Sequence, residues 1–405
     1  MWLDERLTPC EVFGPPSVQP FGTESKVSVS LPPPHLYRQQ ALDQGLDEYS
    51  VDRALQIMRA VGGRGATPVL TLKHLAVLTG VSHMYLRDVV TRRRDPYLSI
   101  IRPKKSGKPR PISSPEPVLM DIQRWILGRI LSACTPDDAS YAYQRRRSIV
   151  DCASRHAGAR WMVKLDIHDF FGRVGERPVF EVFAALGYPR LLSLELCRLC
   201  TRVRGTVPQP LSVTTQFRGK APYDVFARGY LPQGAPTSGA LANLVMRDAD
   251  RELTAFADRQ GLVFTRYSDD MVFSSTGTFS REQARAVVYE AAQRLQGHGF
   301  MVHHKKTRIV TPGARKIVLG LLVDGSRPRL LPEFKRRIEV HVRGVERNGL
   351  SEHAEHRRFD SILAMINHVD GCIAFAGSVE ADYADRIARR WAKVLVARGY
   401  PRSCA

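Results

Sequence analysis

The sequence predicts an α+β protein in which a central antiparallel sheet is preceded by a helical segment and followed by a basic helical module. Three observations carry this. Between about residues 96 and 325, short β-rich runs divided by Pro and Gly alternate in mixed order with helical stretches. On either side of that region, apolar residues recur at three- to four-residue spacing, the period of a helix with one buried face. The composition, 43% hydrophobic and 25% charged over 405 residues, allows sizeable cores and excludes a disordered chain.

Taken in chain order, residues 1–36 hold seven of the 26 prolines, end in Pro32-Pro33-Pro34 and show no sustained period, so they read as a tail or extended strap. Residues 37–95 turn helical through Val51-Leu55-Met58, Leu72-Leu75-Leu78 and Leu86-Val89-Val90. Gly80 divides two of these helices, a spacing shared by DNA-reading helix-turn-helix units and by plain helical hairpins packed on a neighbour; we read the second. Residues 96–325 carry the strands, expected at Leu98–Ile101, Pro111-Ile112, Trp161–Ile167, Leu262–Tyr267, Met271–Ser274, Phe300–Val302 and Ile317–Val323. Helices are expected between them at Pro117–Ala133, Glu176–Leu186, Leu191–Thr201, Ser238–Arg259 and Arg281–Gln296. Residues 326–405 are helical by pattern over Phe334–Arg347, His353–His368 and Val379–Arg398.

Sixty Lys and Arg against 40 Asp and Glu give a net charge of +20, and such a surface attracts polyanions, nucleic acid foremost. The charge clusters in Arg87–Arg110, in Arg145-Arg146-Arg147 and in the C-terminal module, where 15 basic residues face 10 acidic ones. An anionic membrane surface is the weaker reading, because the basic residues do not form one amphipathic helix. No apolar run approaches the ~18 to 20 residues of a spanning helix, and the N-terminus lacks a signal-like pattern, so a cytoplasmic protein with no membrane partner is expected. The seven cysteines are odd in number and scattered, which argues against a disulfide scaffold. Cys197 and Cys200 have CxxC spacing but lie in an apolar helical run, and we read them as core.

The chemistry concentrates at Arg266-Tyr267-Ser268-Asp269-Asp270-Met271, where two adjacent carboxylates stand between two β-forming runs, as at the tip of a hairpin. Adjacent like charges call for a neutralising cation, and hard oxygen ligands suit Mg²⁺. A second acid, Asp166, ends the run Val163-Lys164-Leu165. If strand end and hairpin tip adjoin, the three carboxylates can hold a pair of metal ions of the kind that serves phosphoryl transfer. Leu231-Pro232-Gln233-Gly234-Ala235-Pro236-Thr237-Ser238 is a loop opening a helix, able to approach a base pair closely and to offer main-chain amides to phosphate. Arg102-Pro103-Lys104-Lys105-Ser106-Gly107-Lys108-Pro109-Arg110 is a basic hairpin-like loop suited to a triphosphate.

These segments, in this order over about residues 97–323, resemble the reverse transcriptases, and most of all the bacterial retron enzymes, whose Gln-Gly-Ala-Pro-Thr-Ser wording recurs at 233–238. The chain departs from the retron pattern at Cys152-Ala153-Ser154-Arg155-His156, where Asn-Ala-x-x-His is usual, and at Val318-Leu319-Gly320, where Val-Thr-Gly is usual. His303 or His304 likewise stands near a usual Asn ahead of Lys306. The resemblance implies a right-hand polymerase with fingers, an antiparallel palm sheet and a thumb, making DNA on an RNA template. It implies Asp166, Asp269 and Asp270 as catalytic metal ligands with the carbonyl of Ile167 as an extra one, and two Mg²⁺ ions, with Mn²⁺ as a substitute. Lys105 and Arg110 would hold the incoming deoxynucleotide triphosphate, with Lys306 on the palm side. Phe171 falls where the family has its aromatic steric gate, Gln233 would support the template base pair, and Tyr267, Gly234 and Gly320 would meet primer and template. Arg336, Arg337, Arg357 and Arg358 in the thumb would bind RNA. The partners implied are a structured noncoding RNA, its cDNA product and an effector protein in phage defence. The other readings are a different bacterial reverse transcriptase lineage, group II intron-like or defence-associated, and a non-catalytic nucleic-acid-binding scaffold.

Overall fold

The structure, a computed structural model, describes residues 33–103, 109–203 and 229–400. Four helices open it: α1 (Pro34–Asp43), α2 (Glu48–Gly62), α3 (Leu72–Thr79) and α4 (His83–Val90). The first begins inside the stretch expected as a tail, because Pro34 stands in its first turn, where a missing N–H leaves no bond unmade. Gly80, in the left-handed region at φ 67°, turns α3 into α4. This pair is no free-standing DNA reader, since Leu75, Leu86, Val89 and Val90 are buried in the core shared with the central sheet. Arg92 fastens the connection. Its guanidinium meets Glu176 at 2.5 Å and donates to the carbonyls of Thr201 and Arg198 at 2.7 and 3.1 Å.

A two-stranded hairpin follows, β1 (Tyr97–Pro103) against β2 (Pro109–Pro115), and then α5 (Pro117–Arg129). After α6 (Ile149–Ser154) the chain enters β3 (Trp161–Asp166), the short α7 (Phe170–Arg173), α8 (Glu176–Ala185) and α9 (Arg190–Cys200). Cys197 and Cys200 lie buried in α9, as core. Next come α10 (Ser238–Val245), α11 (Arg247–Arg259), β4 (Val263–Tyr267), β5 (Asp270–Ser275), α12 (Arg281–Gly297) and β6 (Arg308–Val310). The central sheet runs β4-β5-β3-β6, antiparallel throughout.

Three expected elements come out differently here. The helix expected over 238–259 is two, meeting at Met246. Phe300–Val302 forms no strand: Phe300 and Val302 are buried in the core, Val302 makes a single bridge to Ile167, and β6 takes the sheet edge beside β3 after a tight turn at His304–Lys306. The run 317–323 is split into β7 (Ile317–Val318) and β8 (Leu321–Leu322) by Leu319 and Gly320, at φ 47° and 82°. Two successive positive φ values make the tight hairpin turn that suits strand twist.

With β9 (Arg329–Leu330) these two strands form a small antiparallel sheet leading to α13 (Pro332–Asn348), α14 (Leu350–His356), α15 (Ile362–Gly377) and α16 (Ala381–Ala397). The single helix expected over 353–368 is broken at Arg357–Ser361. Arg358 turns left-handed at φ 56°, and Ser361 caps α15 by accepting from the N–H of Ala364. These helices close a second core around Trp391, Ile338, Val342 and Ile366, joined by Met162 and Val272 of the central sheet. Val340 and Leu363, apolar residues of the same helices, are exposed.

Two histidines are buried uncharged. His156 sits behind the sheet with Nδ1 2.7 Å from Ser274 Oγ and Nε2 2.7 Å from Thr265 Oγ1, so it bridges β5 and β4. His341 lies 3.2 Å from His353, whose ring nests where Gly344 lacks a β-carbon. Burial pushes both down to about 3, helped at His341 by His368, His353 and two arginines. Free histidine takes a proton near pH 6.5, so their contribution to stability is full above that pH and falls as pH drops toward 3, by about 1.4 kcal/mol per pH unit for each ring. The denaturation midpoint is therefore expected to fall between pH 7 and pH 5, less steeply in a His156→Gln variant. Parallel curves for the two proteins would contradict this.

Candidate active site

Asp166 closes β3, Asp270 opens β5, and the antiparallel register sets them directly opposite one another. Asp269 lies in the two-residue turn joining β4 to β5, with Ser268 held left-handed at φ 59°. The main chain then locks this corner: Ile167 N–H donates to the carbonyl of Asp269 at 2.9 Å, and His303 N–H to the carbonyl of Asp166 at 2.7 Å. Ile167 itself is buried.

Beneath the turn lies an ion pair that the sequence-based reading of the site missed. Arg266 and Asp250 are both fully buried and meet through two bonds of 2.7 and 2.6 Å. The remaining nitrogen of Arg266 donates to Asn243 Oδ1 and to the carbonyl of Ser268, each at 3.0 Å. A main-chain oxygen of the carboxylate-bearing turn is thus held from below by a charged donor. The sequence signal was present, since Arg266 adjoins Tyr267, but nothing in a linear pattern marks Asp250 as its partner.

Crowding of acids has the expected electrostatic effect. Partial burial first, and then the charges of Asp269 and Asp166, push Asp270 up to about 6, against the pull of Lys164 and Lys306. Lys306 answers part of this charge, its Nζ 2.7 Å from Asp166 Oδ2. Among the described residues no three His, Cys, Asp or Glu side chains converge at metal-ligand distance. The donor set nevertheless fits a hard divalent cation: carboxylate oxygens brought to one corner, whose charge Lys306 offsets only in part.

The surroundings place the other expected residues. Tyr267 ends β4 opposite Asp270, and Gly320 lies in the β7–β8 turn. Gln233 accepts from Ser113 N–H at 2.7 Å, which ties its loop to β2. Gly234 is at φ 113°, and a β-carbon there would stand 2.7 Å from Ile112 Cγ2; the close approach it permits is to this strand. Ser238 Oγ donates to the carbonyl of Pro232 at 2.7 Å, drawing the loop onto α10. Of the Phe pair, Phe170 is buried while Phe171 is half-exposed, its ring 6.1 Å from that of Tyr143. Arg110 lies in β2 and is described by its main chain only; Lys105 lies outside the described residues. Arg336, Arg337 and Arg358 are exposed and Arg357 half-buried. Two further cations of the expected basic face are engaged, Lys335 with Glu380 and Arg390 with Glu346, each at 2.5 Å.

Residues 102–346, more than half of the chain, match the family model described as reverse transcriptase (RNA-dependent DNA polymerase). The chain belongs to the reverse transcriptase family. It is 33% identical to the retron Mx162 reverse transcriptase of Myxococcus xanthus over 71% of its own length and 59% of that protein's. To the retron Mx65 reverse transcriptase of the same organism it is 31% identical, over 78% of the chain and 69% of the relative. To the retron Ec86 reverse transcriptase of Escherichia coli it is 28% identical, over 67% and 72%. The chain thus spans about three-fifths of the Mx162 relative.

Proposed function

We propose that this reverse transcriptase makes cDNA from a structured noncoding RNA in a retron-like system. The register that sets Asp166 opposite Asp270, with Asp269 in the adjoining turn, is the observation that carries the reading. Asp166, Asp269, Asp270 and the Ile167 carbonyl would hold two Mg²⁺ ions, with Mn²⁺ as a substitute. When bound, such a pair lowers the pKa of a primer 3′-hydroxyl and neutralises triphosphate charge. Around it, Lys105, Arg110 and Lys306 bind the deoxynucleotide triphosphate, Lys306 exchanging its bond to Asp166 for a phosphate oxygen. Phe171 stacks under the sugar and rejects a ribose 2′-hydroxyl. Gln233 and Gly234 support the template base pair, and Tyr267 and Gly320 the primer end. The RNA serves as template and primer, and the product acts with an effector protein in phage defence. Expression with its flanking genomic DNA and sequencing of the nucleic acid that co-purifies tests this: a branched RNA–DNA hybrid is expected, whereas RNA alone, with no DNA attached, would reject the retron reading.

The thumb reading has its own test. Arg336, Arg337, Arg358 and Arg389 are exposed, three on helices and Arg358 in the break before α15, and exposed guanidinium groups on a helical module suit A-form RNA, which is read through shape, phosphates and 2′-hydroxyls. Changing these four to Gln should lower RNA affinity and reduce the salt slope by about 0.7 to 0.9 for each phosphate left without its arginine. An unchanged slope would remove the thumb from RNA binding.

A further inference from the structure

We infer that Tyr143 is a specificity-determining residue of the nucleotide site, its ring the wall against which Phe171 stands; this rests on the reading of Phe171 as the residue under the sugar. Tyr143 departs from what a core aromatic would show. It is 55% exposed, and its backbone is left-handed at φ 58°, a conformation that non-glycine residues rarely hold without support. The support is elaborate. Asn243 Nδ2 donates to the carbonyl of Ala142 at 2.7 Å, Tyr141 N–H to the carbonyl of Arg266 at 2.8 Å, and Gln144 Nε2 to the carbonyl of Ser140 at 2.7 Å. The loop is thereby stapled to the edge of β4 and to α10.

What the strained backbone delivers is a ring at the meeting point of three parts of the active site. One side lies on Gly239 in the first turn of α10, just past the Gln-Gly loop, where a β-carbon would stand 2.4 Å from the ring. Its centroid is 6.1 Å from the ring of Phe171. Its hydroxyl is 3.1 Å from Ser268 Oγ, in the turn that carries Asp269. A half-exposed aromatic touching the residue under the sugar, the carboxylate turn and the Gln-Gly helix is placed to fix where a nucleotide sugar rests. Gly239 is the recess that makes room for it. Strain maintained by this many bonds, and ending in a side chain left open beside the carboxylates, points to use by a ligand and not to packing.

The test is single-nucleotide extension with deoxy- and ribonucleoside triphosphates. Tyr143→Ala and Tyr143→Leu remove the ring, and Gly239→Ala displaces it without altering Tyr143. Each is expected to lower the deoxy-to-ribo preference roughly tenfold, mainly through a raised KM for the deoxynucleotide, with RNA affinity unchanged. Tyr143→Phe keeps the ring and is expected to keep the preference. An unchanged preference in Tyr143→Ala and Tyr143→Leu overturns the inference. Phe171→Val, run alongside, separates the two readings: if it shifts the preference while the Tyr143 variants do not, only the inference fails; if it does not, the reading of Phe171 fails whatever Tyr143 does.

Discussion

A protein with Asp269 and Asp270 both changed to Ala is expected to lose DNA synthesis by about a thousandfold or more while binding RNA with unchanged affinity. The two carboxylates supply charge that no neighbouring group can replace, and removal of a metal's contribution to phosphoryl transfer costs several kcal/mol of barrier. The fold has little reason to suffer. The two residues occupy a turn and the first position of a strand, and burial first, then the neighbouring acids, push the Asp270 carboxyl up, so its charge is held here at a cost to the fold. The melting temperature of the double variant is therefore expected to equal or exceed that of the parent, and Asp166 keeps its ion pair with Lys306. Extension of an RNA-templated primer, with RNA binding and thermal melting measured on the same preparations, checks the three parts together. Undiminished synthesis would take the carboxylates out of catalysis.

The second large effect is expected at Arg266, which touches no substrate. Changing it to Met leaves Asp250 as an unpaired carboxylate in a site from which water is excluded, and breaking such a buried pair costs about 3 to 5 kcal/mol. Burial already raises the pKa of Asp250 in spite of its partner, so the pair is maintained against a desolvation cost. A paired replacement distinguishes stability from positioning. With Arg266→Met and Asp250→Leu together, no lone charge remains, and most of the lost stability should return. Activity should not return, because the carbonyl of Ser268 has lost the donor that holds the carboxylate turn. Recovery of synthesis along with stability would show that the pair holds the core together and does nothing for the turn.

Much of the site was legible from the chain alone. Adjacent acids between two β-forming runs predict a hairpin tip; the hairpin is there, but its two-residue turn holds Ser268 and Asp269 while Asp270 already opens β5. The helices over 176–186, 191–201 and 281–296 were readable because each buries one face of a regular period. Local patterns failed where a few residues with unusual backbone angles divide an otherwise regular run: Leu319 and Gly320 in a would-be strand, Arg358 in a would-be helix. Gly320 could have been suspected of a turn, but Leu319 and Arg358 carry no such signal.

What the sequence determines by itself is therefore the order of elements, the acidic and Gln-Gly motifs and the basic surface, because each is written in consecutive residues or at a fixed short period. Tertiary structure alone decides which distant residues serve them. Asp250 and Asn243 become partners of Arg266, His156 a bridge between β4 and β5, and Tyr143 a neighbour of Phe171 and Ser268, only when the sheet brings them together. The physical reason is burial. A polar group removed from water must find its partner within hydrogen-bond reach, and in this fold that partner comes from another element, 16 residues away for Arg266 and Asp250 and 109 for His156 and Thr265, where no sequence period points.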